Sequence, residues 1–189
     1  MVAAYSAAFA DEAVLCWVIP DPVQRAACAR SMFRELLAGA VRTEQVILAE
    51  LPDGTLAGIS VWLHHRAQEL ERQAERLATA TIGDDAVARR LAVVNETVLG
   101  HRPREPHVYL ASIAVRPPLR GRGAGAAILA EGLRVADAAA LPVYLEASTE
   151  QSRRLYLRHD FRDRGRPLAL PAGGPVLWPM WRHPRPDHP

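Results

Sequence analysis

The sequence contains no lysine, because all 23 of its basic residues are arginine. This absence excludes a Walker-type phosphate loop, which needs Gly-Lys-Ser/Thr. Cysteine is nearly absent too. Cys16 and Cys28 are too few for a disulfide framework, and they form no CxxC motif. We therefore expect two reduced thiols and no metal site.

Long apolar runs and strong net charge are also missing. No run of about twenty apolar residues occurs, and no basic segment followed by an apolar run opens the chain, so we expect neither a membrane span nor a signal peptide. A net charge of +2 does not by itself indicate a nucleic-acid partner. Without a span or a signal peptide, the protein is expected to be cytoplasmic. Its 49% hydrophobic residues indicate a folded chain, and we expect one domain over residues 1–182 and a flexible tail over residues 183–189.

The most informative stretch is Arg120-Gly121-Arg122-Gly123-Ala124-Gly125. It follows an apolar run, Val108 to Val115, that predicts a strand, and it precedes an alanine-rich segment, Ala126 to Ala140, that predicts a helix. Glycines let backbone N–H groups turn towards an anion, and a helix N-terminus adds donors and partial positive charge. Arginine side chains suit phosphate oxygens. The stretch predicts a pyrophosphate-binding loop, and an ordinary glycine-rich turn is the alternative.

A dinucleotide-binding loop is a second alternative. The pattern Gly-x-Gly-x-x-Gly, begun at Gly121, has Ala126 in place of its last glycine. Glu146 occupies roughly the position of the acidic residue that follows the next strand in such folds. The loop alone does not distinguish these two kinds of site.

The remaining chain predicts helices around a hairpin and a closing pair of strands. Asp21-Pro22 has the chemistry of a helix start, and Pro52-Asp53-Gly54-Thr55 has that of a tight turn. The predicted helices are Ala3–Ala10, Asp21–Gly39, Ala67–Ala80, Asp84–Leu99 and Glu150–His159, and the predicted strands are Val46–Leu51, Leu56–Leu63, Pro142–Ala147, Phe161–Leu170 and Val176–Arg182.

Two stretches resemble one known superfamily. The order Arg-x-x-Gly-x-Gly after the strand Tyr109 to Val115 resembles the acetyl-CoA loop of the GNAT N-acetyltransferases. Leu155 to Phe161 resembles their Tyr-x-x-x-Gly-Phe segment, with Asp160 in place of glycine. Further stretches are similar to the puromycin N-acetyltransferase family: His101–Pro106, Tyr144–Ser148, Trp178–Met180 and, in the more divergent N-terminal part, Ala7–Asp11.

This resemblance implies an α/β (α+β) fold. The sheet is expected to be mixed, mostly antiparallel and twisted, to splay around the acetyl-CoA site, and to be flanked by helices. Such proteins begin with a strand before their N-terminal helix, whereas this chain starts too late to supply one. Either the start of the sequence is mis-assigned or the first strand is missing, and a missing strand would leave an exposed sheet edge that bears on stability and on whether the protein is a monomer or a homodimer.

The resemblance also implies a reaction. Acetyl-CoA would donate its acetyl group to a primary amine of a small molecule, a puromycin-like antibiotic or another amine, by direct transfer in a ternary complex without a metal. A protein N-acetyltransferase and a non-catalytic acyl-CoA sensor are the alternatives. Arg120, Gly121, Arg122, Gly123, Ala124 and Gly125 would hold the pyrophosphate, and the backbone of Ile113, Ala114 and Val115 would hold the pantetheine arm and the developing oxyanion.

The resemblance implies a proton donor, whereas the base rests on the residues themselves. Tyr156 takes the position of the tyrosine that faces the coenzyme A sulfur, so we expect it to protonate the departing thiolate, a core tyrosine being the alternative. Glu146, a carboxylate within a core strand, is the candidate base, and a salt-bridged structural role is the alternative. His107 is a second candidate, expected to be rather exposed. Trp178 and Trp181 would either pack in the core or line the acceptor pocket.

Overall fold

The computed structural model describes residues 6, 8–30, 34, 46–65 and 85–185. Within them, one mixed sheet separates two groups of helices. The helices are α1 (Ala13–Val18), α2 (residues 22–30), α3 (Asp85–Leu99), α4 (Ala124–Ala138) and α5 (Glu150–Leu157). The strands are β1 (Val46–Glu50), β2 (Leu56–His65), β3 (His107–Val115), β4 (Val143–Ala147), β5 (Arg162–Asp163), β6 (Leu168–Ala169) and β7 (Val176–Arg182).

The sheet has the order β1-β2-β3-β4-β7-β5, and β6 pairs with β7 outside this path. Among the described strands, β3 and β4 run parallel and every other pair is antiparallel. The parallel pair is joined through α4, which makes a βαβ crossover at the centre of the sheet. The predicted fold class, mixed and mostly antiparallel with flanking helices, is confirmed.

The sheet opens between its two central strands. Pairing of β3 with β4 is limited to Val108↔Val143 and Tyr109↔Tyr144. On its other edge β3 stays paired with β2 as far as Val115↔Gly58. The register with β2 shifts where Ala111 has no Cα partner, a bulge that increases the local twist. The two strands therefore diverge towards the glycine-rich loop, as the splayed sheet predicts.

Helix α4 packs tightly against one face of the sheet. Its apolar stripe includes Leu129 and Leu133, which lie in a buried cluster with Leu145 of β4. Trp62 of β2 completes this cluster and crosses close to Gly132, since a Cβ added at Gly132 would lie 1.9 Å from Cζ2 of Trp62. A glycine is required there because even one methyl group would collide with the indole. The opposite face packs against α1 and α3.

Local sequence signals locate most of the described elements. Asp21 caps α2 by accepting a 2.6 Å hydrogen bond from the backbone N–H of Gln24, and Gly54 turns the β1–β2 hairpin with a φ of 79°. Helix α4 begins at Ala124 and ends at Ala138, so its predicted bounds were two residues late at each end. Helix α5 ends at Leu157, before the predicted His159.

Several predictions fall on other parts of the chain. The helix predicted at 67–80, the end of the helix that begins at Asp21 and residues 186–189 of the predicted tail lie outside the described residues. No strand precedes β1 in the described part of the chain, and residues 1–5 lie outside it. None of the described helices is both long and apolar enough to cross a membrane.

Candidate functional site

The glycine-rich loop joins the open end of β3 to the N-terminus of α4. Gly121 and Gly123 have φ angles of 75° and 85°, and a Cβ added at either would meet no heavy atom within 4 Å. Gly123 is the N-cap of α4 and has no side chain with which to cap it. The first-turn N–H groups of α4 therefore remain available to a ligand beside open space, which is the geometry of an anion site.

Arg120 makes its hydrogen bonds within the protein. Its Nη1 and Nη2 donate to the two carboxylate oxygens of Asp11 at 2.5 and 2.8 Å. Its Nη2 also donates to the carbonyl of Ala8, and its Nε to the carbonyl of Val115, both at 3.0 Å. Arg122, in contrast, is exposed and makes no hydrogen bond or ion pair with any described residue. The two arginines of the loop thus occupy different situations.

Ile113, Ala114 and Val115 form the end of β3 that borders the opening. One backbone edge of this segment pairs with Ser60, Ile59 and Gly58 of β2. The other edge lies beyond the last β3–β4 pair and has no ladder partner in β4. A peptide-like ligand arm can pair with such an edge.

Tyr156 lies in the last turn of α5, whose start is stabilised by a capping box between Thr149 and Ser152. The residue is only 5% exposed, and its ring packs on Phe161 at 5.7 Å between centroids. Its hydroxyl makes no hydrogen bond with a described residue. Burial, and secondly the negative charge of Glu12, raise the pKa of this phenol. Tyr156 therefore keeps its proton at neutral pH.

The loop, the end of β3 and α5 meet at one place. A Cβ added at Gly125 would lie 3.5 Å from Cγ2 of Val115 and 3.9 Å from Cδ2 of Leu155, the neighbour of Tyr156. Beyond α5 the chain turns at Asp160, whose φ is 66°. Aspartate at the usual glycine position thus adopts the left-handed conformation that it tolerates better than most residues.

Glu146 lies on β4 just beyond the last residue that pairs with β3. Its Oε2 accepts a 2.8 Å hydrogen bond from the Tyr109 hydroxyl, whereas its buried Oε1 has no hydrogen-bond partner among the described residues. Burial raises the pKa of the Glu146 carboxyl, and the charge of Arg102 and the hydroxyls of Tyr109 and Tyr144 only partly oppose that effect. The carboxylate is therefore a stronger base than an exposed glutamate.

Aromatic and cationic side chains surround this carboxylate. Arg102 stacks over the Tyr109 ring at 4.1 Å, and its Nε and Nη1 are buried without a described hydrogen-bond partner. Tyr109 stacks with Tyr144 at 6.1 Å between centroids, and Tyr144 contacts Trp181 at 6.4 Å. Trp181 therefore lies in this cluster, which we call the Glu146 cluster: Arg102, Tyr109, Tyr144, Glu146 and Trp181. Trp178 instead packs against the core beneath α4.

His107 differs from the prediction. It was expected to be rather exposed, but it is only 1% exposed and packs edge-on against Tyr144. Its Nδ1 lies 2.7 Å from the carbonyl oxygen of Glu105, so Nδ1 carries the proton. Burial lowers the pKa of His107. β3 lies between β2 and β4 in the middle of the sheet, and the ring of Tyr144 covers the first residue of the strand.

Glu146 and Tyr156 lie on opposite faces of β4. Tyr156 belongs to the cluster that contains Leu145 and Ala147. Alternate side chains of a strand point to opposite faces, so Glu146 points away from that cluster. Glu12, on the segment that leads into α1, nevertheless lies close enough to influence the Tyr156 phenol.

The sequence prediction missed three contributors to this site. Asp11 holds Arg120, Glu12 influences Tyr156, and Arg102 influences Glu146. The local signal for the first was the family-like stretch Ala7–Asp11, which has no recognisable chemistry of its own. Arg102 lies in the family-like stretch His101–Pro106, which by itself does not reveal a partner 44 positions away.

Comparisons with known proteins agree with this geometry. The profile of the acetyltransferase (GNAT) family matches residues 45–161. A structure described as histone acetyltransferase HPA2 and related acetyltransferase, from Corynebacterium glutamicum, is similar with a TM-score of 0.68 and 25% identity, over 100% of this chain and 91% of that chain. The puromycin-like specificity stays a prediction.

Two more distant structures share the fold. An agmatine N-acetyltransferase in its apo form has a TM-score of 0.69 at 16% identity, over 93% of this chain and 88% of that chain. Arylalkylamine N-acetyltransferase 2 from Aedes aegypti has a TM-score of 0.66 at 14% identity, over 94% and 89%. Since the family profile spans more than half of the sequence and the open sheet has the expected form, this chain belongs to the acetyltransferase (GNAT) family.

Proposed function

We propose that this protein transfers an acetyl group from acetyl-CoA to a primary amine of a small molecule, directly and within a ternary complex. The observation that carries the proposal is a convergence at one opening in the sheet. The uncapped N-terminus of α4 and the edge of β3 that has no partner in β4 border it, and the buried phenol of Tyr156 lies on α5, whose Leu155 approaches Gly125 of the loop. An anion site, a peptide-like binding edge and an acid are the parts that thioester aminolysis needs.

The described residues fit coenzyme A. The backbone from Gly121 to Gly125 offers N–H donors beside open space, which suits a pyrophosphate. The edge of Ile113 to Val115 suits the amide-bearing pantetheine arm and can also stabilise negative charge on the carbonyl oxygen. Acetyl-CoA, when bound, supplies the acetyl group as an activated thioester.

Two side chains would then move protons. Tyr156 holds its proton at neutral pH and can give it to the departing sulfur. Glu146 would take a proton from the acceptor amine, directly or through a water that reaches its covered carboxylate. Its raised pKa suits this role, because a general base works best when its pKa lies near the operating pH.

The surroundings of Glu146 favour a small acceptor. Its carboxylate lies among the rings of Tyr109 and Tyr144. A lysine within a folded protein would need a more open groove to reach a buried oxygen. Agmatine and arylalkylamine acetyltransferases share the fold, so their amines belong in a substrate screen together with puromycin.

The test is thiol release from acetyl-CoA by the purified protein. The screen contains puromycin, other aminonucleosides, agmatine, arylalkylamines and a lysine-containing peptide. We expect release with at least one small amine and a product that is heavier by one acetyl group. Release with the peptide alone would contradict the small-molecule proposal. Binding of coenzyme A by calorimetry without release for any acceptor would indicate a sensor.

A further inference from the structure

Asp11 and Arg120 form a two-pronged contact between the N-terminal segment and the start of the glycine-rich loop. The guanidinium also reaches the carbonyls of Ala8 and Val115, so one side chain connects the N-terminal segment, the end of β3 and the loop. Hydrogen bonding from Arg120 lowers the pKa of Asp11, so this carboxylate stays charged at neutral pH. Most of the N–H groups of the Arg120 guanidinium are therefore hydrogen-bonded within the protein before any ligand binds.

We propose that Asp11 is a positioning residue for the pyrophosphate loop: it holds the Arg120 guanidinium against Ala8 and Val115, and thereby sets the path of Arg120 to Gly125. The pyrophosphate of coenzyme A is then received by the backbone of the loop, the first turn of α4 and the unengaged Arg122. Arg120 supports this surface instead of contacting the phosphates. The inference rests on the proposed function only in taking coenzyme A as the ligand.

The reasoning starts from the number of donors on a guanidinium. An arginine has five N–H groups in a rigid fork, and Arg120 makes four hydrogen bonds within the protein. Only one N–H, on Nη1, is left over, so a two-pronged contact with a phosphate would require Arg120 to release at least one of these bonds. Arg122 has no such bonds to release. The loop can therefore bind a pyrophosphate without rearrangement when Arg120 is structural and Arg122 meets the ligand.

The exposure of the Asp11–Arg120 ion pair predicts that its loss affects ligand binding and protein stability to different degrees. The side chains of Arg120 and Asp11 are 39% and 59% exposed, and ion pairs of this kind contribute little to the free energy of unfolding. A loop that surrounds an anion depends strongly on backbone position, since its N–H groups must point at the ligand together. Loss of Asp11 should therefore weaken ligand binding far more than it lowers the melting temperature.

The experiment measures coenzyme A binding by calorimetry, with no acceptor present. Asp11→Asn keeps the shape of the side chain and removes its charge, and we expect the Kd to rise about tenfold. Arg120→Lys keeps the positive charge but cannot make four directed hydrogen bonds, so it should weaken binding similarly. Glu131→Gln is the matched control, because it removes a comparable exposed ion pair with Arg134 elsewhere on α4, and its Kd should stay within about twofold.

A second probe distinguishes positioning from a general structural effect. Pantetheine lacks the pyrophosphate, so its binding should be the same in Asp11→Asn and in the parent protein. Arg122→Gln should weaken coenzyme A binding and reduce its dependence on salt, since it removes a direct charge contact. Circular dichroism and melting curves show whether each variant is folded.

Each outcome has one meaning. An unchanged Kd in folded Asp11→Asn would overturn the positioning role and leave the proposed function intact. Tighter binding in Asp11→Asn, or near-parental binding in Arg120→Lys, would make Arg120 a phosphate ligand that Asp11 holds back. If the parent protein does not bind coenzyme A at all, the proposed function and this inference both fail.

Discussion

The Tyr109 hydroxyl donates a hydrogen bond of 2.8 Å to Oε2 of Glu146, across the point where β3 and β4 stop pairing. The bond joins the two strands that diverge there and fixes one carboxylate oxygen at the edge of the opening. The other oxygen, Oε1, has no hydrogen-bond partner among the described residues. This arrangement holds the orientation of the carboxylate, whose second oxygen is covered from solvent close to the Tyr144 hydroxyl.

Replacing Arg102 should change the pH dependence of turnover. Burial raises the pKa of Glu146, and the positive charge of Arg102 is the main opposing effect. In Arg102→Gln that opposition is lost, so the pKa of Glu146 rises further. Since a base must be ionised to act, the acidic limb of the kcat/KM profile should move to higher pH. Initial rates across a pH series, with the acceptor found in the screen, measure this shift.

The matched control for this prediction is Arg104→Gln, which replaces an exposed arginine in the same segment between α3 and β3. Its profile should overlay that of the parent protein, and Arg102→Lys should fall between the two. The other titratable groups around Glu146 are Tyr109 and Tyr144, whose own pKa values are raised by burial. They stay neutral across the range that is measured. An acidic limb that does not move in Arg102→Gln would mean that Glu146 is not the base.

Removing the Tyr156 hydroxyl should slow the chemical step without affecting ligand binding. A positioned general acid contributes about 10²- to 10⁴-fold, so kcat of Tyr156→Phe should fall by at least about 10²-fold. The Kd for coenzyme A and the melting temperature should change little, because the hydroxyl makes no hydrogen bond with a described residue. Steady-state kinetics and calorimetry measure the two effects. Full activity in Tyr156→Phe would show that another group protonates the sulfur.

A negative charge at Gly123 should abolish coenzyme A binding. The φ of 85° strains any side chain, and the carboxylate would enter the space where the α4 N-terminus offers its N–H groups. Gly54→Glu is the control, since Gly54 has a φ of 79° and equally open surroundings in the β1–β2 turn. Calorimetry on both variants separates a loss of the anion site from the general effect of a strained, charged side chain. Equal coenzyme A binding by Gly54→Glu and Gly123→Glu would contradict the assignment of the anion site.

Replacing Asp137 should destabilise the fold in a pH-dependent way. The guanidinium of Arg182, only 3% exposed, donates two hydrogen bonds of 2.7 and 2.8 Å to this carboxylate, and the backbone N–H of Arg185 donates a third. Asp137→Asn leaves the buried cation without its counter-charge, which should lower the free energy of unfolding by about 3 kcal/mol at neutral pH. Urea denaturation at several pH values measures the difference.

The sign of that pH dependence follows from the pKa. Burial acts to raise the pKa of Asp137, but the hydrogen bonds from Arg182 and from the N–H of Arg185 outweigh it and lower the pKa. A lowered folded-state pKa contributes stability above the unfolded value, and this contribution disappears as the pH falls through the folded value. The free energies of unfolding of the parent protein and of Asp137→Asn should therefore converge at acidic pH. Glu131→Gln should match the parent protein throughout, and a pH-independent difference for Asp137→Asn would contradict the account.

Much of the fold follows from short-range patterns. Asp21 caps a helix, Gly54 turns a hairpin, and the glycines after β3 start α4 without a cap, because each effect depends on the conformational preference of one residue and its nearest neighbours. The resemblance of the loop and of the Tyr156 segment extended these local patterns to the family and to the splayed sheet. The helix bounds were less accurate, since α4 begins at Ala124, directly after the left-handed Gly123 and two residues before the predicted start.

The sequence by itself therefore determined much of the order of the elements, the glycine-rich loop before α4 and the family. Only the tertiary structure decided what the charged side chains do. Arg120 pairs with Asp11, which is 109 positions away, His107 is covered by the ring of Tyr144, and Glu146 receives the hydroxyl of Tyr109. A side chain's partner and its pKa depend on which strands and loops the fold places beside it. The spacing of residues along the chain does not reveal which distant residues become neighbours in space.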